Sequence, residues 1–116
     1  MIAEAAIAAA FSFSRFGGNI MPFHARIAAS GRVVVDGDPR ALLTRAKVAA
    51  LHRLVDRERF ASLPVHVACA GVLPDVATRS VTATSHGKRH SVSVRGGCNR
   101  RFELVYGALA RAAGLQ

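Results

Sequence analysis

The segment of this chain with the clearest potential for chemistry runs from Arg95 to Arg101 and reads Arg-Gly-Gly-Cys-Asn-Arg-Arg. It follows a strand-like stretch and precedes a helix-like one, so free backbone N–H groups and the positive end of a helix dipole converge among three arginines. Such a corner can bind a phosphate, a sulfate or a carboxylate. The spacing matches neither the nucleotide P-loop nor the dinucleotide fingerprint, and the glycines can also serve only as a turn that needs positive φ. The residues predicted to contact an anion or a partner here are Arg95, Gly96, Gly97, Asn99, Arg100 and Arg101.

The cysteines offer a second kind of chemistry. Cys69 and Cys98 are the only two, and both fall in predicted loops. A disulfide between them would close a loop of about thirty residues, stabilise the fold by roughly 3–4 kcal/mol and point to an oxidising compartment. Two alternatives stay open, which are a pair of reduced structural thiols and a reactive Cys98 activated by the helix start and its arginines. A thiol enzyme or redox protein using Cys98 is therefore one functional hypothesis.

The other chemically active residue types do not assemble a site. The histidines lack any metal-ligand spacing, such as two residues four apart on a helix, and His66 near Cys69 is only a fragment of a ligand set. Carboxylates are too few for a general acid–base pair, and no serine stands in a nucleophile-elbow pattern. We therefore predict no metal site, no cofactor and no enzyme active site.

The charge of the chain is strongly positive, with 16 lysines and arginines against 7 aspartates and glutamates. A basic surface attracts polyanions and acidic proteins. The arginines are scattered, however, so a compositional bias explains them equally well. Helix-turn-helix, zinc-finger and aromatic RNA-binding patterns are missing, and residues for base stacking are scarce. Binding of nucleic acid or another polyanion is the runner-up hypothesis.

The strands that position these residues are predicted from period-two alternation and from turn residues. Phe11 to Phe16 is predicted to place all three of its phenylalanines on one face and to lie at an unpaired sheet edge, where it could support a dimer. Val65 to Pro74 is predicted to be irregular. The predicted strands are Phe11–Phe16, Phe23–Ile27, Arg32–Val35, Val76–Thr84 and Lys88–Arg95, with hairpin turns at Ser30-Gly31 and Ser85-His86-Gly87.

Two helices are predicted from capping residues and apolar stripes. Thr44 caps a helix that runs to about Arg59, and Asn99 caps a last helix over Arg100–Ala113. The apolar stripe of the first helix consists of Val48, Leu51, Leu54 and Val55, and that of the second of Phe102, Val105, Leu109 and Ala112.

These elements predict one α+β domain over residues 1–116, with a loosely ordered segment at 1–10. The order β-β-β-α-β-β-α favours a two-layer sandwich, in which two helices cover one face of an antiparallel sheet of about five strands. The opposite face would be polar. It would carry His24 and Arg26 and, if the strand register permits, Arg32, Thr82 and His90.

The chain has no apolar run of the length that a membrane span requires, so no membrane partner is predicted. Met1 to Phe13 has no basic residue ahead of its apolar stretch and is a poor match to a signal peptide. The expectation is a cytosolic protein, or a secreted one from which a leader was removed.

Several short motifs in this pattern resemble one known family. They are a strand ending in Ser14-Arg15-Phe16-Gly17-Gly18, a helix with Leu54-Val55 followed by Phe60-Ala61-Ser62-Leu63-Pro64, a hairpin starting at Asp75, and a short C-terminal helix. Together they resemble the emfourin-like bacterial domains over about residues 11–113. Members of that group include proteinaceous inhibitors of thermolysin-like metallopeptidases. The resemblance implies loops at one end of the sheet that plug a peptidase cleft without being cleaved.

The sequence therefore predicts a small basic binding module whose partner is a protein, with a peptidase as the candidate. Its contact surface would be built from the Gly17–Pro22 loop, the Val65–Pro74 loop and the Arg95–Arg101 turn. Within the first loop, the residues predicted to contact the partner are Gly17, Gly18 and Asn19.

Overall fold

Alternating apolar and polar residues favour the longer strands of this protein, and an apolar stripe at helical spacing favours each of its helices. The computed structural model describes residues 9–115 as an α+β fold, with two helices and a mixed sheet of seven strands. The strands are β1 Ala9–Phe16, β2 Phe23–Ala28, β3 Arg32–Val35, β4 Asp38–Leu42, β5 His66–Ala68, β6 Thr78–Ser85 and β7 Lys88–Arg95. The helices are α1 Arg45–Arg57 and α2 Arg100–Ala112, with a short 3₁₀ turn at Phe60–Ser62.

The sheet has the strand order β4-β3-β2-β1-β6-β7-β5. The α+β class and the two helices are confirmed, whereas the prediction of about five antiparallel strands is wrong in detail. Strand β4 was missed because Asp38–Leu42 is exposed at every position and contains a proline, so it shows no alternation. Strand β5 was missed because it has only three residues; it pairs with β7 in parallel orientation inside the stretch predicted to be irregular.

Strand β1 lies in the middle of the sheet, between β2 and β6, so the prediction that it forms an unpaired edge is wrong. It also begins at Ala9, which places residues 9 and 10 in the sheet; the rest of the segment predicted to be loosely ordered lies outside the described residues. Phe11 and Phe13 are fully buried, but Phe16 is exposed. Phe16 is three residues from Phe13, and an odd spacing puts it on the opposite face of a strand.

One continuous core lies between one face of the sheet and the two helices. Phe11 and Phe13 lie at its centre. Their neighbours in register on β2 are Ile27 and Ala25, and those on β6 are Ala83 and Val81. Each large apolar side chain buried in this way contributes on the order of 1.5–3 kcal/mol. The helices supply the second layer through Val48, Leu51 and Val55 of α1 and Phe102, Val105, Tyr106, Leu109 and Ala110 of α2.

The helix ends follow the predicted caps. The Thr44 hydroxyl accepts a hydrogen bond from the backbone N of Lys47, and the Asn99 side chain accepts one from Phe102 N. Helix α1 ends at Arg57 rather than Arg59, because Arg59 adopts a left-handed conformation at φ 50° and reverses the chain toward Phe60.

His90 is the one residue wrongly assigned to the outer face. It is in register with the buried Ala83, and so it lies on the helix-facing side of β7. Its Nε2 is 2.8 Å from the carbonyl oxygen of Leu63, and its ring meets Phe60 edge-on with centroids 5.7 Å apart. The ring therefore closes the core next to the 3₁₀ turn.

Tyr106 is the only tyrosine in the chain, and its ring packs against other aromatic side chains of α2 and the sheet. Its ring stacks on Phe102 with centroids 5.8 Å apart and meets Phe13 edge-on at 6.0 Å. Burial raises the pKa of its phenol above the ordinary value of 10.0, and Glu103 acts in the same direction. The cations Arg15 and Arg79 oppose this shift, with less effect than burial.

We expect the Tyr106 phenol to ionise above pH 10.0 in the folded protein, as measured by the near-ultraviolet absorbance of the phenolate. Because the folded state favours the neutral phenol, the raised pKa of Tyr106 stabilises the folded protein. This stabilisation is fully present below pH 10 and is lost as the pH rises through the folded-state pKa. The free energy of unfolding of Tyr106→Phe should lack this alkaline decrease. A phenolate titration with its midpoint at or below pH 10.0 while the protein stays folded would contradict the buried environment.

Candidate functional site

Three connecting segments meet at one end of the sheet. Phe16, the last residue of β1, pairs with Thr78, the first residue of β6, and Thr78 pairs with Arg95, the last residue of β7. Arg95 in turn pairs with Ala68, the last residue of β5. The segments 17–22, 69–77 and 96–99 therefore leave the sheet at the same end, and we call them together the loop end. The structure places most of the predicted contact surface here, but Val65 precedes β5, residues 66–68 form β5, Arg95 ends β7, and Arg100 and Arg101 begin α2.

A disulfide joins two of these segments. Cys69 and Cys98 are bonded, with their Cα atoms 5.7 Å apart. The backbone N of Cys98 also donates to the Cys69 sulfur at 3.1 Å, and Cys69 N donates to the carbonyl of Arg95 at 3.0 Å. Of the three states that the sequence left open for the cysteines, the structure has the bridge. A reactive thiolate at Cys98 would require this bond to be broken first.

Guanidinium groups also hold these segments through hydrogen bonds to their backbone. Arg95 donates to the carbonyl oxygens of Leu73 at 2.9 Å and Val76 at 3.3 Å. Arg79 donates to the carbonyl of Gly96 at 2.9 Å and forms a two-pronged ion pair with Glu103 at the start of α2. Because a guanidinium presents its donors in a fixed plane, each arginine holds two groups at once in a set geometry. The two arginines therefore link the segment 69–77 and the turn 96–99 to the sheet and to α2.

The predicted anion-binding corner is largely occupied by the protein's own groups. The Asn99 side chain fills the cap position of α2, and Glu103 places a carboxylate in the first turn. Arg101 turns toward the end of α1 and donates to the carbonyls of Glu58 at 2.7 Å and Arg59 at 2.6 Å. Arg100 is exposed. Arg101 thus joins the two helices, Arg95 holds the segment 69–77, and anion binding at this corner stays a prediction.

The glycine pair after β1 lets the segment 17–22 approach its neighbour closely. Gly17 and Gly18 both have positive φ, at 81° and 62°. A Cβ added to Gly18 would lie 2.2 Å from the carbonyl oxygen of Asp75, whereas one added to Gly17 meets nothing within 4 Å. Gly18 is therefore required for the contact with residues 75–77, while Gly17 is required only for the turn. The exposed Asn19 follows them in the same turn.

Large apolar side chains project from the loop end, and the sequence analysis did not single them out. Met21 is 82% exposed, Leu73 is 65% exposed and Phe16 is 49% exposed. Leu73 borders an open cavity of about 490 Å³, which is also lined by Gly71, Val72, Val76, Ala77, Arg79, Gly96 and Gly97. Met21-Pro22 and Leu73-Pro74 share a signal that could have found them, since a large apolar residue in a loop beside a proline has no strand or helix to bury it.

Within residues 9–115 no group of three histidine, cysteine, aspartate or glutamate side chains is placed to hold a metal ion. Neither helix in that range is long and apolar enough to cross a membrane. His66 lies on the outer face of β5, and its neighbour Cys69 is in the disulfide.

We expect Gly18→Ala to destabilise the protein more than Gly17→Ala. A non-glycine residue in the left-handed region costs about 1–2 kcal/mol, and both variants carry that strain. Gly18→Ala adds a clash with a backbone carbonyl, which should lower the free energy of unfolding by a further ~1–3 kcal/mol. Urea denaturation of the two variants measures the difference, and equal losses would mean that residues 17–19 do not contact residues 75–77.

Removing the bridge should lower stability as well. For a closed loop of this length, Cys69→Ser/Cys98→Ser is expected to lose roughly 3–4 kcal/mol of unfolding free energy, because the unfolded chain becomes less constrained. Chemical denaturation with and without a reductant tests this. Reductant should lower the denaturation midpoint of the wild type and leave that of the double variant unchanged; an unchanged wild-type midpoint would show that the bridge is absent.

Compared with protein-family models and with curated proteins, the sequence matches none. The resemblance to emfourin-like domains stays a prediction that depends on the motifs quoted above.

Proposed function

We propose that this chain is a small basic protein-binding domain, of the peptidase-inhibitor kind, that contacts its partner through the loop end. The observation that carries the proposal is that two segments from distant parts of the chain, 17–22 and 69–77, project exposed apolar side chains from one end of the sheet, and that the third segment, 96–99, is cross-linked to the second. Met21 and Leu73 lie on two of these segments, and the Cys69–Cys98 bridge and Arg95 hold the third against the second.

The bracing supports a binding role because association is opposed by the loss of loop freedom. A loop that is already ordered loses less entropy on binding, and peptidase–inhibitor complexes generally form with little movement of the interface backbone. Segment 69–77 is bonded to Cys98 through Cys69, and the carbonyls of Leu73 and Val76 accept from Arg95. A segment held at several points along its length also resists the extension that a peptidase needs in order to cleave it.

The exposed apolar groups support a protein partner rather than a small ligand. A few large side chains that enter pockets of the partner supply most of the energy in protein interfaces, and clustered apolar exposure marks such surfaces. Met21 is unbranched and flexible, so it can fit a pocket of irregular shape. The net charge of +9 would speed the approach of an acidic partner.

The resemblance to emfourin-like domains supports a peptidase as that partner, with thermolysin-like metallopeptidases as the first class to examine. In that reading the loop end enters the substrate cleft, and the apolar side chains of Met21, Leu73 and Phe16 occupy pockets that normally receive the side chains of a substrate.

We expect wild-type protein to inhibit a thermolysin-like metallopeptidase, and Met21→Asp/Leu73→Asp to inhibit it at least about 30-fold less well. Inhibition should weaken because the substitutions remove two apolar side chains that enter pockets of the partner and place two charges in those pockets, from which water is excluded. Inhibition constants measured with a soluble peptide substrate test the expectation, and serine and cysteine peptidases assayed in parallel identify the class.

Leu42→Asp serves as the matched control. Leu42 is 75% exposed, but it pairs with Arg32 at the opposite end of the sheet from the loop end. Its substitution should leave the inhibition constant unchanged. An equal loss in Leu42→Asp, or wild-type protein that inhibits no peptidase of any class, would overturn the proposal.

A further inference from the structure

The sheet has a second face, opposite the helices, on which hydroxyl side chains line up across the central strands. The register places Ser12 beside Thr82 and Thr82 beside Ser91, and it places Ser14 beside Ser80 and Ser80 beside Ser93. We call these two sets the hydroxyl rows. Within them the hydroxyl oxygens of Thr82 and Ser91 lie 2.7 Å apart, and those of Ser80 and Ser93 lie 2.9 Å apart. Each row therefore runs across three strands as a series of neighbouring groups that can both donate and accept hydrogen bonds, with one pair in each row bonded to each other.

Cationic and imidazole side chains extend both rows. On β2, Arg26 is in register with Ser12, and His24 is in register with Ser14. At the other side, His66 of β5 is in register with Ser93. Since adjacent strands lie about 4.8 Å apart, the row from His24 to His66 spans roughly 19 Å.

The charge of this face is of one sign. Arg32 of β3 and Arg89 of β7 add further cations at outward positions, and both side chains are exposed. Among the described residues of β1, β2, β3, β6 and β7, no outward position carries a carboxylate. Asp36 lies in the turn after β3, where one carboxylate oxygen accepts from the backbone N of His24 at 2.9 Å, and the exposed Asp38 begins the edge strand β4.

We propose that this outer sheet face binds a linear acidic polysaccharide, with the hydroxyl rows contacting its sugar hydroxyls and Arg26 and Arg32 contacting its carboxylate or sulfate groups. Charge complementarity argues for a polyanion. The hydroxyl rows argue for sugar, because a serine or threonine hydroxyl can donate to and accept from a sugar hydroxyl, whereas a phosphate oxygen only accepts. Guanidinium groups match carboxylate and sulfate groups through paired hydrogen bonds.

Two observations favour a polysaccharide over a nucleic acid. Single-stranded nucleic acids are bound largely by stacking of bases on aromatic side chains, and the only aromatic ring projecting from this face of β1, β6 and β7 is Phe16, at the loop end. The Cys69–Cys98 disulfide is a feature of oxidising compartments outside the cytosol, where acidic polysaccharides are abundant.

The test compares affinity for polygalacturonate, heparin, neutral dextran and double- and single-stranded DNA, all measured by calorimetry at one ionic strength. Polygalacturonate and heparin distinguish a carboxylate ligand from a sulfate ligand. We expect one of these two to bind, DNA to bind more weakly and dextran not to bind. DNA that binds more tightly than both acidic polysaccharides would overturn the proposal in favour of a nucleic acid.

Three variants locate the binding surface. Arg26→Ser/Arg32→Ser removes two outward cations, and Ser14→Ala/Ser80→Ala/Ser93→Ala removes one hydroxyl row without changing the charge. Each should weaken polysaccharide binding roughly tenfold or more, as expected for the loss of charge-assisted or multiple hydrogen bonds. The control Lys47→Ser/Arg53→Ser removes the same charge from exposed positions on α1 and should change the affinity about twofold or less.

An equal loss in the α1 control would show that affinity follows net charge, and an unchanged hydroxyl-row variant would show that the rows take no part; either result overturns the proposal. Circular dichroism and thermal melting establish that each variant is folded. The Met21→Asp/Leu73→Asp protein should keep its polysaccharide affinity, so failure of this proposal and failure of the inhibitor proposal can be told apart.

Discussion

The fold depends on a difference between the two faces of the sheet, since one is buried against the helices and the other is not covered by them. Phe11 and Phe13 on the central strand are fully buried against the helices, and because side chains alternate along a strand, the same placement turns Ser12 and Ser14 outward. The antiparallel order then brings the ends of β1 and β7 and the start of β6 to one end of the sheet. The apolar contact of one face thus positions both the loop end and the hydroxyl rows, although neither takes part in the core.

Some arginines of this basic chain hold backbone segments together, and others are exposed on the sheet. Arg79, Arg95 and Arg101 are turned toward connecting segments and donate to their backbone carbonyl oxygens. Each guanidinium group offers a planar set of hydrogen-bond donors. Together the three arginines connect α1, α2 and two segments of the loop end. Arg26 and Arg32, in contrast, are exposed on the outer face of the sheet. Sequence position alone does not separate these two groups, since Arg100 and Arg101 are neighbours and only one is turned inward.

Much of the fold could be predicted from local patterns. The structure confirms the caps Thr44 and Asn99, the apolar stripes of both helices and the two hairpins. Each of these features depends on residues that are close together in the sequence. The predictions failed where pairing partners are distant in sequence. Strand β4 has no buried residue and forms only because β3 offers an unpaired edge, and β5 forms only because β7 lies beside it. The central place of β1 depends on pairing with β6, more than sixty residues away along the chain.

The sequence by itself determined both helices and most of the strands. Helix caps, turns and period-two alternation depend only on residues that are close together in the chain. It also identified Cys69, Cys98 and the glycine-rich segments as residues of interest. Only the tertiary structure decided that the two cysteines meet, that Arg95 and Arg101 serve the backbone, and that Met21 and Leu73 project from the same end of the sheet. These outcomes depend on strand order and on contacts between residues far apart in the chain, which no local pattern encodes.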